Sequence, residues 1–115
     1  MTDRVTSSIE YCDSKPGAVQ EYPFGPQPLV MKVGGKMFAF FSKDSITLKC
    51  NPRIAENLRE QYTDVKPGYH MNKKHWNTVM LEGTLTDEEL QSMIDHSYEL
   101  VVAALPKAAR QALQT

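Results

Sequence analysis

The sequence predicts an α+β two-layer sandwich, an antiparallel sheet with helices on one face, in the order α-β-β-β-α-β-β-α. Two β-rich runs, residues 29–33 and 36–41, meet across Gly34-Gly35, a pair suited to the positive φ angles of a type I′ hairpin turn. Residues 46–50 alternate apolar and polar side chains, as a half-buried strand does. A capping-box pattern opens the last predicted helix. Together these patterns predict a β-meander with helices packed against it.

The first half of the chain begins with a predicted helix over residues 2–13. Val5, Ile9 and Cys12 recur there at helical spacing, and Lys15-Pro16-Gly17 ends the pattern. Residues 22–28, rich in proline and glycine, are interpreted as a connector to the three-stranded meander.

A second helix follows the meander directly, because Asn51 is a good N-cap and Pro52 a good first helical residue. Its inner face is expected to carry Ile54, Ala55, Leu58 and Tyr62.

The second half of the chain has β character around Val65 and over residues 76–81, which predicts two more strands around an irregular basic loop. Thr86 and Glu89 then form the capping box of the last helix. The predicted buried stripe of that helix comprises Leu90, Met93, Ile94, Ser97, Val101, Ala104 and Leu105. Pro106 ends it, and residues 107–113 are expected to add a terminal turn or two.

Length and composition indicate a single domain spanning residues 1–115, expected to be a monomer. The two cysteines lie far apart with no paired spacing, which argues against a disulfide scaffold and a thiolate zinc site and favours reduced thiols in the cytoplasm. No stretch has the pattern of a signal peptide or a transmembrane helix, so no membrane partner is expected.

The net charge of −1 conceals an uneven distribution along the chain. Residues 31–76 carry nine Lys and Arg against four Asp and Glu, whereas the segments on either side are acidic. Such a block is typical of a basic face for an anionic partner, or simply of acidic helices beside basic strands.

Catalytic and cofactor motifs are not found. Gly34-Gly35 is not a phosphate-binding loop, because a strand rather than a helix follows it. His70 and His75 lack a third ligand at metal-binding spacing, and His96 is predicted to be solvated. Cys50 is predicted to be a small buried hydrophobe. We therefore expect a non-enzymatic protein with no cofactor and no metal, and an enzyme that uses the two histidines is the least favoured alternative.

The segment 66–76 resists a purely structural explanation. It holds three lysines, two histidines, two aromatic residues and an asparagine in eleven positions. Lysines suit phosphates, aromatic rings suit stacking and asparagine suits base edges, so the chemistry fits nucleic acid. Alternatively, Tyr69 and Trp76 anchor the strands and the lysines form a solvated turn.

Six short motifs occur in a fixed order along the chain. They are PG at 16–17, YPFG at 22–25, GKMFA at 35–39, LKCNP at 48–52, PGYHMNKKHWN at 67–77 and DHSYELV at 95–101. Together they resemble the MmcQ/YjbR family over residues 16–105. The resemblance implies a fold like that of the type III secretion chaperones, α-β(3)-α-β(2)-α, and DNA binding through a double-wing arrangement. It carries over no well-established enzymatic activity and no residue set with a known catalytic role.

The favoured hypothesis is binding of double-stranded DNA through basic hairpins and the 66–76 loop. The expected contacts are Lys32, Lys36, Lys66, His70, Asn72, Lys73, Lys74 and His75, with background attraction from Lys43 and Lys49. The alternative is a chaperone-like module that binds a protein or a small molecule. That alternative requires an exposed apolar patch, expected at Val30, Met37 and Phe41, or docking on the 22–28 connector.

Overall fold

A computed structural model describes residues 4–22, 29–68 and 72–113 of the protein. The elements in chain order are α1 (Arg4–Asp13), β1 (Val19–Glu21), β2 (Leu29–Val33), β3 (Lys36–Ser42), β4 (Ser45–Lys49), α2 (Pro52–Gln61), β5 (Val65–Pro67), β6 (Trp76–Met80), α3 (Asp87–Ala103) and α4 (Lys107–Ala112). The predicted α+β fold and its element order are confirmed. Strand β1 is an addition, and α4 is the terminal turn expected after Pro106.

The six strands form one sheet in the order β1-β2-β3-β4-β6-β5, with every neighbouring pair antiparallel. The sequence of strand β1 has no apolar alternation that would predict a strand. The strand forms because Val19, Gln20 and Glu21 pair with the outer edge of β2. At the β2–β3 turn, Gly34 and Gly35 have φ angles of 58° and 80°, as the type I′ prediction requires.

A register shift in the β2–β3 pair sets the position of Phe38. Met31 faces Ala39 and the next residue, Lys32, faces Met37, so Phe38 has no partner on β2. The ring of Phe38 is fully buried and meets Tyr98 of α3 edge-on, with 5.3 Å between ring centroids. Its carbonyl oxygen accepts a hydrogen bond of 2.6 Å from the Ser97 hydroxyl. The irregular register therefore fastens the middle of the sheet to α3.

Helices α2 and α3 begin as the sequence predicts. The Asn51 side chain accepts hydrogen bonds from the backbone N–H groups of Arg53 and Ile54, and Thr86 and Glu89 form a complete capping box. Most of the predicted α3 stripe is buried, but Met93 is only half-buried and Ala104 is exposed. Ala104 is the C-cap of α3, where the helix ends.

One face of the sheet is covered by helices and holds the core. Its strand residues include Leu29, Met31, Ala39, Phe41, Ile46, Leu48, Val65 and Val79, and α3 contributes Leu90, Ile94 and Val101. Because side chains alternate along a strand, cross-strand partners on the other face include Val30, Phe40, Thr47, Lys49, Trp76 and Thr78. We call this second set the open face. None of its apolar side chains belongs to the core cluster.

The expected exposed apolar patch is wrong at two of its three positions. Phe41 is 4% exposed on the helix-covered side, Val30 is 6% exposed and Met37 is half-buried. Val30 lies on the open face, with Glu21 of β1 and Phe40 of β3 as its cross-strand neighbours. Residues 23–28, the connector proposed as another docking surface, lie outside the described residues.

A polar cluster joins α1 to α3. The Tyr11 hydroxyl donates a 2.6 Å hydrogen bond to Asp95 Oδ1, and Lys15 pairs with the same carboxylate. The Lys15 ammonium also lies 4.7 Å from the centroid of the Tyr11 ring. These contacts fix α1 and the residues that follow it to the middle of α3.

Among the described residues, no helix is long and apolar enough to cross a membrane.

Candidate functional site

Several lysines gather at one end of the sheet. In an antiparallel sheet, the beginnings of β3 and β6 lie at the same end as the finish of β4 and β5. Lys36 begins β3, Lys49 finishes β4, and Lys73 and Lys74 lie in the turn before β6, while Lys66 lies on the neighbouring strand β5. We call these five lysines the basic end. The β2–β3 hairpin and the β5–β6 connection thus project from one end of the sheet, about 14 Å apart at 4.8 Å per strand.

The positive charge of the basic end is compensated only weakly, by Asp64, whose carboxyl pKa is lowered mainly by hydrogen bonds and in part by Lys66. Among the residues that the structure describes, none of the five lysines forms an ion pair, and all except the half-buried Lys49 are exposed. Lys32, a predicted contact, differs because its ammonium lies 3.0 Å from Glu21 Oε1. Lys43 lies in the β3–β4 turn, at the opposite end of the sheet. The positive potential is therefore concentrated along one end rather than spread over both.

The turn that carries Lys73 and Lys74 is held by short polar contacts. Asn72 Oδ1 accepts from the backbone N–H of Lys74 at 2.9 Å, and the N–H of His75 donates to the Asn72 carbonyl at 3.1 Å. The His75 carbonyl in turn accepts from the N–H of Cys50 at 2.7 Å. The side chains of Asn72, His75 and both lysines are exposed. This turn therefore presents its polar side chains on a defined backbone.

Arg59, which the sequence did not single out, braces the same turn from α2. Its guanidinium donates to Asn77 Oδ1 at 2.7 Å and to the carbonyl of Lys73, and it reaches the Trp76 carbonyl at 3.3 Å. Asn77 is only 2% exposed and also donates to the Ala55 carbonyl. No sequence signal predicts this bracing, because its acceptors lie 14 to 18 residues away along the chain.

Helix α4 brings two further cations toward the β2–β3 hairpin. The Leu105 side chain lies directly over Gly34, where an added Cβ would be 2.7 Å from Leu105 Cδ1. Lys107 and Arg110 follow on α4, and both are exposed. They come from a segment that is acidic overall, so the charge distribution along the chain did not predict them.

Two of the three histidines lie within the described residues. His70 lies outside the described residues, and His75 is exposed in the turn before β6. His96 was predicted to be solvated, but it is half-buried and its Nε2 accepts from the N–H of Asn51 at 3.2 Å. Within residues 4–22, 29–68 and 72–113, no group of three or more His, Cys, Asp or Glu is arranged to hold a metal ion.

Both cysteine thiols are buried, as predicted for Cys50. Burial raises the pKa of Cys12 to about 12 and raises that of Cys50 above its ordinary value. A thiol with a raised pKa is largely protonated near neutral pH and is a poor nucleophile. The two thiols therefore pack as apolar groups.

A cleft of about 460 Å³ lies on the helix side of the sheet, between α2 and the first half of α3. Its floor is formed by β4 and β6, and the two helices run antiparallel along its sides. At one end His96 accepts from Asn51, and at the other the Tyr62 hydroxyl donates to Glu89 Oε2 at 2.5 Å. The helices are thus connected at both ends of the cleft and separated in its middle.

Comparison with known proteins agrees with the motifs. The family model YjbR matches residues 13–100. The chain is 36% identical over 113 residues to YjbR of Escherichia coli strain K12, a protein described as uncharacterized, and the match covers 95% of this chain and 96% of that protein. It is 40% identical over 90 residues to YbdF of Escherichia coli O157:H7, also described as uncharacterized, covering 75% and 74% of the two chains.

Two solved structures share the fold. The crystal structure of Deinococcus radiodurans protein DR2400, which carries the family-model domain DUF419, superposes with a TM-score of 0.88 at 35% identity, covering 97% of this chain and 88% of that one. The crystal structure of a protein from Pseudomonas syringae gives a TM-score of 0.76 at 28% identity, covering 87% and 99%. The matched residues contain almost all of the motifs along 16–105 that suggested the family, and the chain belongs to the YjbR family.

Proposed function

We propose that this protein binds double-stranded DNA, without catalysis, through the basic end of its sheet. The observation that carries the proposal is the convergence of Lys36, Lys49, Lys73 and Lys74 at one end of neighbouring strands, with Lys66 beside them on β5. Lysine ammonium groups are compact charges that suit phosphate oxygens, and they contribute affinity without selecting a sequence.

The position of the lysines supports contact with a rod-like polyanion. The hairpin that bears Lys36 and the turn that bears Lys73 and Lys74 project from the same end, so one duplex can touch both. Because these ammonium groups form no ion pair among the described residues, no protein salt bridge has to break before a phosphate binds.

Polar and aromatic groups beside the lysines supply further contacts. The amide nitrogen of Asn72 and the imidazole of His75 are exposed next to Lys73 and Lys74, where they can reach sugars or base edges. Trp76 is half-buried on the open face, cross-strand from Lys49. Lys32, neutralised by Glu21, contributes less than Lys36 does.

The test is a titration of fluorescent duplex DNA at several salt concentrations. About three neutralised phosphates predict a slope of about −2.7 for log K against log salt. Lys73→Gln combined with Lys74→Gln should weaken binding to all sequences alike and make the slope shallower by about 0.9 for each phosphate that is no longer neutralised.

Lys43→Gln is the control for position, because it removes one positive charge at the opposite end of the sheet, where the double variant removes two at the basic end. It should leave both affinity and slope nearly unchanged. The proposal fails if duplex DNA does not bind at low salt with micromolar protein. It also fails if Lys43→Gln weakens binding as much as the double variant does, since the charge would then act without regard to position.

A further inference from the structure

We infer that the cleft between α2 and α3 is a second binding site, built for a small organic cation with an apolar tail. This site lies on the helix side of the sheet. Of the five lysines of the basic end, Lys49 alone also lines the cleft, and its backbone N–H donates to the Ser97 hydroxyl beneath α3. The two proposals are therefore independent.

The volume and lining of the cleft are those of a ligand site. About 460 Å³ lies within the range of small-molecule pockets, which are mostly apolar with a few placed polar groups. Ile54 and Leu58 lie four residues apart on α2 and line one wall together with Tyr62, the C-cap of that helix. Leu48 and Val79 form part of the floor. Ile54 is 43% exposed, a large apolar side chain left open beside the cleft.

The floor offers no reactive group. Asn77 is occupied by Arg59 and the Ala55 carbonyl, and burial raises the pKa of the Cys50 thiol. Asn77 and Cys50 on the floor are therefore suited to binding rather than to chemistry.

Charge identifies the polar end of the ligand. Glu88, Glu89 and Ser92 line the cleft from the first turns of α3. Hydrogen bonds from the Thr86 backbone N–H and the Tyr62 hydroxyl lower the pKa of Glu89, so this carboxylate is ionised at neutral pH. The Glu88 carboxylate is exposed and forms no ion pair within the described part of the chain. A cationic head at this end and an apolar tail directed toward Cys50 match the lining.

The length of the cleft limits the tail. From Glu88 to His96 the wall of α3 rises about 12 Å, at 1.5 Å per residue. A linear chain of about eight carbons suits this span, and each methylene placed in the cleft should tighten binding about fourfold. Anionic lipids and carboxylate metabolites are disfavoured by the two glutamates.

The experiment compares octyltrimethylammonium, hexyltrimethylammonium and octanoate by calorimetry and by ¹⁵N chemical-shift mapping. The octyl cation should bind about sixteenfold more tightly than the hexyl cation, since two methylenes differ, and at least tenfold more tightly than octanoate. Its shift changes should centre on the cleft. Equal binding of octanoate, or shifts that centre on the open face, would overturn the inference.

Two variants separate the head from the tail. Glu88→Gln should weaken binding of the octyl cation about threefold to tenfold. Glu99→Gln removes an exposed charge on the same helix outside the cleft and should leave this binding unchanged. Ile54→Ser should weaken it about threefold to tenfold, and because Ile54 is half-exposed the variant should fold. A loss of octyl-cation binding in Glu99→Gln as large as that in Glu88→Gln would contradict a local site.

DNA binding should persist in Glu88→Gln and Ile54→Ser, which distinguishes failure of this site from failure of the proposed function.

Discussion

The basic end and the cleft are built on the same strands and have opposite chemistry. Leu48 lines the cleft floor and Lys49, the next residue, contributes to the basic end. Asn77 and Thr78 divide in the same way on β6, where Asn77 lies under α2 and the Thr78 hydroxyl meets Thr47 at 2.9 Å. The two-residue period of a strand allows one short sheet to carry two unlike surfaces at once.

The surfaces also differ in how they are supported. The cleft is bounded by helices whose caps and buried stripes are encoded locally, whereas the turn at the basic end depends on Arg59 reaching across from α2. The comparison therefore predicts that fully buried residues on the helix side control stability, whereas the exposed residues of the basic end control DNA affinity.

Phe38 and Phe40 test this comparison most strongly. Phe38 is fully buried against α3, so Phe38→Ala should lower the free energy of unfolding by about 3–5 kcal/mol. Phe40 is half-buried on the open face, and Phe40→Ala should cost only about 1 kcal/mol. Urea unfolding of both variants measures the difference. Equal losses would show that the open face is part of the core.

Ser97 and Ser92 give the next largest contrast, on a single helix. Ser97 is fully buried, donates to the Phe38 carbonyl and accepts from the Lys49 N–H at 2.9 Å. Ser97→Ala leaves both backbone groups without this partner and should cost about 1–3 kcal/mol in thermal or urea unfolding. Ser92→Ala, on the exposed rim of the cleft, should change stability by less than about 0.5 kcal/mol.

Arg59 braces the turn of the basic end from α2, so its removal should affect both stability and DNA affinity. Arg59→Ala should lower stability by about 1 kcal/mol and increase hydrogen exchange in the turn at residues 72–75. DNA affinity should fall although every lysine of the basic end is still present. Arg59→Lys should not restore either property, because one ammonium cannot reproduce the forked donors. Arg53→Ala, exposed on the same helix, is the control, and an identical effect there would argue against bracing.

The smallest expected effect is the pH dependence of the cluster between α1 and α3. Partial burial acts to raise the pKa of Asp95, but hydrogen bonds from Lys15 and Tyr11 outweigh it and hold the pKa below its ordinary value. A carboxyl group with a depressed folded-state pKa stabilises the fold above its unfolded pKa, and this contribution is lost as the pH falls through the folded value.

Asp95→Asn should therefore be less stable than the parent protein at about pH 6 and should approach it at about pH 3. Urea unfolding at both pH values measures this. A stability difference that stays constant between them would show that the carboxylate charge of Asp95 contributes nothing.

Local patterns in the sequence were sufficient to predict most of the helices, strands and turns of the fold. The Gly34-Gly35 pair determined the hairpin, Asn51-Pro52 began α2, and the Thr86–Glu89 capping box began α3, because each signal acts over a few residues. Strand β1 was not predicted, since three residues without alternation become a strand only by pairing with β2. The burial of Phe41 and Val30 was misjudged because it depends on the helices and on cross-strand neighbours.

The candidate surfaces divide in the same manner. By itself the sequence determined the family, the order of elements and the clustering of lysines in residues 31–76, all of which are linear properties. The tertiary structure decided that Lys36 and Lys73 share one end of the sheet, that Lys32 is neutralised by Glu21, and that α2 and α3 enclose a cleft. These facts arise from contacts between residues far apart in the chain, which no local pattern of charge or hydropathy encodes.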